Sequence, residues 1–382
     1  MSKVAVVKTQ DQSYESIKKA VDQVIEQIGG LEDIIKPGYK VIIKPNLVAC
    51  PTDRLSGGIT RWEVCLAIYE AVQAVGGVPV IAESSAAGAD TELTIAKCGY
   101  QELRDKGIPV IDLKNKENAR CVMPVEDGVV FDKINTWELV RDADAIITVP
   151  VMKTHDQTEI TLGLKNLKGL LTDVQKKDFH KQGLIEGVVD WCKTLKPVLE
   201  IVDGTFGQQG LGPIFGETKE MDLIIGSKDL VACEAVTGKI MGYEPEEVMI
   251  TEAAHKRGMG EMDLKKIEVV GKQIEGIPTS FNLIFSKDAC TGCHNTVISA
   301  LMDMKAQDLF LYLENMNVCV GPCTKEHLPE GANAENTVCV GICAKKLADE
   351  MGFRWVVGCP PGNADVVKGV LGDRKEYGVR YS

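Results

Sequence analysis

Seven of the chain's 13 cysteines fall between Cys290 and Cys359. Two form Cys290-Thr-Gly-Cys293, the near-copies VCVGPC and VCVGIC hold four more, and Cys359 precedes two prolines. The chain opens MSKVAVVKTQ, without the apolar run of an export signal. So dense a set of thiols in such a chain points to metal or redox chemistry rather than to a disulfide framework. The remaining six, Cys50, Cys65, Cys98, Cys121, Cys192 and Cys233, are scattered singly. Cys65 and Cys192 lie in apolar helical patterns and read as small core residues.

Cys290, Cys293, Cys323, Cys343 and Cys359 each come just past a strand-like run. If those strands are parallel, five thiols converge on one sheet edge, where α/β proteins hold ligands. Cys319 and Cys339 alternate with valines inside their runs and belong to the core. Thiolates on glycine-bearing loops suit a cuboidal 4Fe-4S cluster, which needs four of them. A structural zinc site is an alternative, although its ligands usually come as two close pairs. A redox dithiol is another. Cys290-Thr-Gly-Cys293-His294 also matches c-type haem attachment, which would leave the surplus thiols unexplained. His294 itself reads as an exposed or capping residue.

A second set of polar residues follows strand-like runs earlier in the chain. Lys44-Pro45-Asn46, Glu83-Ser84-Ser85, Lys153-Thr154-His155 and Asp203-Gly204-Thr205 each end one, and Lys165, Asn166 and Lys168 come close behind. By the same edge rule they could share a pocket. Lysines without adjacent acids, beside Asn and Ser donors, suit a carboxylate or phosphate. His155 is the candidate for proton transfer, with Lys153 and Asp203 as its catalytic companions. A solvated helix face explains Lys165 and Lys168 equally well. His180, His255 and His327 sit in charged surroundings without a pattern. Neither a G-x-G-x-x-G turn nor a G-x-x-x-x-G-K-[ST] loop is present, so nucleotide triphosphate hydrolysis has no support.

The elements that position these residues alternate. Strand-like runs at 4–7, 41–44, 78–82, 109–112, 145–149, 198–202 and 223–225 are interleaved with helical patterns such as 14–28 and 61–75. This predicts an α/β fold: a large parallel or mixed sheet domain over 1–275, then a smaller α/β cluster-binding domain over 276–382. The stretch 121–131, with its Glu126-Asp127-Gly128 turn, predicts a hairpin. Across 382 residues, 45% apolar and 26% charged residues allow large cores. The net charge of −12 argues against a nucleic-acid-binding face. No apolar run reaches the roughly 18 residues of a membrane span, and a cytoplasmic protein is expected.

KVIIKPNLV, VPVMKTH with GLKNLKG after it, and IVDGTFGQQGLGP resemble the domain-of-unknown-function family 362, over most of residues 1–240. The tail, with CTGC, VGIC and VVGCPP, is similar to the C-terminal region of members described as iron–sulfur proteins. It lacks the ferredoxin run C-x-x-C-x-x-C-x-x-x-C that other members carry. Matched residue by residue, the resemblance implies Cys290, Cys293, Cys343 and Cys359 as ligands of a 4Fe-4S cluster. Cys323 is left as an extra thiol, an alternative ligand or a redox partner. The resemblance implies no agreed reaction, and a distant likeness to lactate-racemase-type domains supplies no chemistry.

The leading expectation is an iron–sulfur oxidoreductase. Its cluster would exchange electrons with a small anionic substrate or cofactor, and a redox partner protein could share them. Lys44, Lys153 and Lys165 would neutralise the ligand, while Asn46, Ser84 and Asn166 would hydrogen-bond it. A non-redox lyase or isomerase, with the cluster or a cation as Lewis acid, predicts three cysteine ligands and an open iron. An electron-carrier module without its own substrate would leave the lysine loops as surface. A homodimer is the base-rate assembly.

Overall fold

The computed structural model describes residues 1–51, 53–155, 158–210, 212, 216–272 and 281–375. The chain divides into two compact units, Met1–Ile277 and Pro278–Ser382. The expected division after residue 275 falls within 273–280, outside the described residues.

The large unit is a mixed α/β fold. Its strands are β1 (Ser2–Lys8), β2 (Lys40–Pro45), β3 (Val78–Glu83), β4 (Val110–Asp112), β5 (Arg120–Pro124), β6 (Lys133–Trp137), β7 (Ala145–Val149), β8 (Val151–His155), β9 (Glu159–Thr161), β10 (Leu199–Gln209), β11 (Glu217–Ser227) and β12 (Ile267–Gly271). The main sheet runs β12-β1-β11-β10-β7-β2-β3-β4, with β8 beside β10 and β9 beside β8. Along that order only β11 runs antiparallel to its neighbours. The expected hairpin forms from β5 and β6.

Strand alternation divides the core between the two faces of the sheet. Val4, Val6, Ile42, Ile146 and Val202 pack on one face, while Ala5, Val7, Val41, Ile43, Ile147 and Ile201 pack on the other. Each fully buried valine or isoleucine among them contributes about 1.5–3 kcal/mol. Helices supply the covering layers. The one over Tyr14–Gln27 buries Ile17, Ala20, Val21 and Val24, the three-and-four spacing of a single helical face. Ser13 caps it by accepting from the Ser16 N–H.

Lys153-Thr154-His155 does not form a loop after β7. Pro150 lacks an N–H and interrupts the ladder, but its carbonyl accepts from the Asp203 N–H at 2.8 Å. The chain therefore re-enters the sheet as β8, parallel to β10 and antiparallel to β9.

The small unit is a four-stranded parallel sheet in the order β13 (Asn282–Phe285), β14 (Asn317–Val320), β15 (Thr337–Val340), β16 (Arg354–Val356). Its first helix spans Thr291–Ala306, and Cys290 is its N-cap. Cys319 and Cys339 are register partners on adjacent strands, fully buried as their position between valines implies.

Candidate functional site

Strand ends and one turn of the large unit enclose a cavity of about 370 Å³. Lys44, Asn46, Ser84, Lys153, His155, Lys165 and Asn166 all line it.

Two lysines lie at its floor, each with no exposed surface. Lys44 Nζ donates to Glu83 Oε2 at 2.9 Å and to Asn166 Oδ1 at 3.2 Å. The Glu83 carboxylate also accepts from the Leu47 and Ser84 N–H groups, which fixes it against β2 and β3. The expectation that Lys44 lacks an acidic neighbour is thus corrected. Glu83 lies 39 residues away in sequence and meets it because β2 and β3 pair. Lys153 Nζ donates to Asn46 Oδ1 at 3.0 Å and to the Gly58 carbonyl at 2.6 Å. Burial pushes its pKa down to about 7, and nearby Lys44 adds to that while Glu83 opposes it.

The GLKNLKG segment forms a helical turn, Gly163–Asn166, running into a 3-10 turn, Leu167–Leu170. Two buried carboxylates hold its start. Glu200 accepts from the Gly163 N–H and Glu234 from the Leu164 N–H, both at 2.8 Å. A Cβ on Gly163 would lie 2.4 Å from the Glu200 carboxyl carbon, so glycine is required there. Burial pushes both carboxyl pKa values up, and the charge of Glu234 raises Glu200 further. The turn then presents Lys165, whose Nζ lies 2.7 Å from His155 Nε2. Lys168 Nζ lies 2.9 Å from His180 Nε2. Gly169 completes the wall, since a Cβ there would stand 2.3 Å from Glu83 Oε1 and 2.5 Å from Lys44 Nζ.

Sequence reasoning missed part of this wall. Lys176, Lys177 and His180 line the cavity from the helix Asp173–Gln182. Lys176 Nζ donates to the carbonyls of Ser84 and Ser85 and to Ser84 Oγ, pinning the loop after β3. The spacing of Lys176 and His180, one turn apart, was the available signal, but a charged surface helix has the same pattern. Burial pushes Lys168 and Lys176 down to about 7 as well.

Asp203 does not belong to the cavity. Its carboxylate accepts from the Arg61 N–H at 2.8 Å and from the Thr205 N–H and hydroxyl at 3.0 and 2.7 Å. Those bonds tie β10 to the start of the helix Trp62–Ala74, and the proposed assistance to His155 is corrected accordingly.

Residues 41–239 match the family model described as domain of unknown function DUF362. The chain belongs to this family. Within it, the chain is 30% identical over 258 residues to the thylakoid-associated protein sll1697 of Synechocystis sp., covering 65% of this chain and 78% of that one. Among solved structures, the lactate racemase apoprotein from Thermoanaerobacterium thermosaccharolyticum aligns over 97% of this chain and 90% of its own. Its identity is 12% and its TM-score 0.41, so nothing about activity follows from it. The family match covers every cavity residue discussed above and ends before the cysteine-rich tail.

In the tail, four of the expected thiols come together. Cys293 is buried, while Cys290, Cys343 and Cys359 are exposed. Burial pushes the Cys293 thiol up to about 12, with the charges of Cys290, Cys343 and Cys359 adding to the effect. The Cys293 N–H bond to the Cys290 sulfur leads the causes that lower the Cys290 pKa, as the start of a helix does for a thiol. Gly341 has a positive φ, and a Cβ there would stand 3.3 Å from the Cys293 sulfur and 3.6 Å from that of Cys343. Its backbone can therefore approach a group held by these sulfurs. Among the described residues, no three His, Cys, Asp or Glu side chains form a cage for a single metal ion.

Cys323 is not part of this group. Its thiol donates to the carbonyls of Val320 at 3.4 Å and Ile284 at 3.7 Å, and it packs with Cys319 and Cys339 in the core. The loop after β14 turns inward where the loops after β15 and β16 leave their cysteines exposed. His294 is likewise buried, stacked on Phe285 with ring centroids 3.8 Å apart.

Proposed function

We propose that this DUF362 protein is a redox enzyme that couples a 4Fe-4S cluster, held in the small unit by Cys290, Cys293, Cys343 and Cys359, to a small anionic substrate or cofactor bound in the large unit. The observation that carries the reading is the cavity of about 370 Å³ with Lys44 and Lys153 fully buried at its floor. Both ammonium groups are already held, Lys44 by Glu83 and Asn166 and Lys153 by Asn46 and the Gly58 carbonyl, and the lysine-rich wall around them suits an incoming carboxylate or phosphate.

The donor set fits the cluster. Four thiols, one at a helix start and two beside a glycine backbone, are the kind of ligands and surroundings that cuboidal clusters use. When bound, the cluster supplies one-electron chemistry. The lysines orient and neutralise the ligand, Asn166 and Glu83 keep Lys44 in place, and Glu200 and Glu234 fix the turn that carries Lys165 and Lys168. His155 Nε2, set against the Lys165 ammonium, can take or return a proton at the ligand.

The test is anaerobic purification followed by iron and sulfide analysis, absorption and EPR, with phosphate and carboxylate binding to wild type and Lys153→Ala. About four iron and four sulfide per chain, with anion binding weakened by Lys153→Ala, are expected. A colourless, zinc-bearing protein would sink the cluster reading, and equal binding by both proteins would sink the pocket reading.

A further inference from the structure

We propose that the ligand of the lysine pocket carries at least two anionic groups, one set against the buried floor and one against the lysines of the rim. A small dicarboxylate and a phosphorylated carboxylic acid share this chemistry. The inference rests on the reading that the pocket binds an anion at all.

Charge in the wall is the first argument. Among the described lining residues, six lysines face one carboxylate, Glu83. Glu83 is engaged by Lys44 and two backbone N–H groups. Asp173, outside the lining, lies 3.6 Å from Lys176, and Lys114 shares it at 3.0 Å. A single negative charge leaves most of this excess in place, and a second removes more of it at Coulombic distances where water is scarce.

Depth is the second argument. The floor lysines have no exposed surface, whereas Lys177 and His180 are exposed and Lys168 is half-buried. The cationic wall therefore extends from closed interior to solvent. A cavity of about 370 Å³ falls in the range for small-molecule ligands, with room for two anionic groups and a short linker.

Proton linkage supplies a signature. Lys153, Lys168 and Lys176 are each pushed down to about 7 by burial, so near neutral pH the wall is only partly protonated. The groups facing them are Glu83 from β3, Lys44 from β2, His155 from β8, Lys165 on the turn, His180 on the helix, and the Lys114–Asp173 pair. An arriving dianion raises the lysine pKa values and draws protons from solution, and its affinity falls as pH rises above about 7.

The experiment is calorimetry on the full chain, with acetate, succinate and phosphoglycolate as probes, in two buffers of different ionisation enthalpy. Succinate or phosphoglycolate should bind at least about tenfold tighter than acetate, from one further charge-assisted contact. Net proton uptake should accompany it at pH 7.5. Whichever dianion binds tighter distinguishes a second carboxylate from a phosphate. Acetate within about threefold of both dianions would overturn the inference while leaving an anion pocket standing. No binding of any probe would overturn the anion reading, and this inference with it.

Discussion

In the large unit the reactive side chains are cations taken out of water, whereas in the small unit three of four clustered thiols stay exposed. The lysine pocket is held by its own polar contacts. Lys44, Glu83, Asn166 and Lys176 interlock with each other and the backbone, so the wall is preorganised and any unmatched change is costly. The cysteine edge depends on a helix start, a glycine and loops. One site pays for charge burial before any ligand arrives, and the other, on the proposed reading, would be completed by its cluster.

The largest expected effect tests the second half of this contrast. Cys343→Ala should lose most of the iron and sulfide of the anaerobic protein, while Cys323→Ala and Cys339→Ala keep theirs and lose only about 1–2 kcal/mol of stability. Equal loss in all three would erase the distinction between edge and core thiols. For the pocket, Glu83→Gln leaves Lys44 buried without its counter-ion and should cost about 3–5 kcal/mol in urea unfolding. A cost near zero would show that Lys44 is neutral or re-solvated. Gly169→Ala pushes a methyl group into the Lys44–Glu83 pair, so a loss of about 1–3 kcal/mol with weakened phosphate binding is expected.

The pH dependence sharpens the comparison further. Lys153 titrates near 7 when folded and near 10.4 when unfolded, so between those values the unfolded chain binds more protons. Stability therefore rises with pH across that window through this residue. Relative to Lys153→Met, wild type should gain up to about 1.4 kcal/mol per pH unit in denaturation midpoints converted to free energy. Matching slopes would mean that Lys153 is not desolvated. The smallest effect is expected of Asp203→Asn. It weakens the bonds to Arg61 and Thr205 by about 1 kcal/mol and leaves anion affinity unchanged. A lost affinity would return Asp203 to the site.

The sequence by itself determined much of the scaffold. Continuous apolar runs in β1, β2 and β7 specified buried strands, helical spacing placed Tyr14–Gln27 on the core, and the valine-flanked Cys319 and Cys339 were legible as interior. The ends of apolar runs also drew attention to Lys44, Lys153 and the edge cysteines, although Lys153 proved to lie inside β8 rather than beyond a strand. Only the tertiary structure decided which of these groups meet. Glu83 reaches Lys44 through the pairing of β2 with β3, and Asp203 turns to Arg61 through a contact 142 residues apart in sequence. Cys323 and Cys343 close near-identical fragments, yet one turns inward and the other stays exposed. Local pattern fixes which face or edge a residue occupies. The partner that sets its charge and its role comes from chain packed against it from far away.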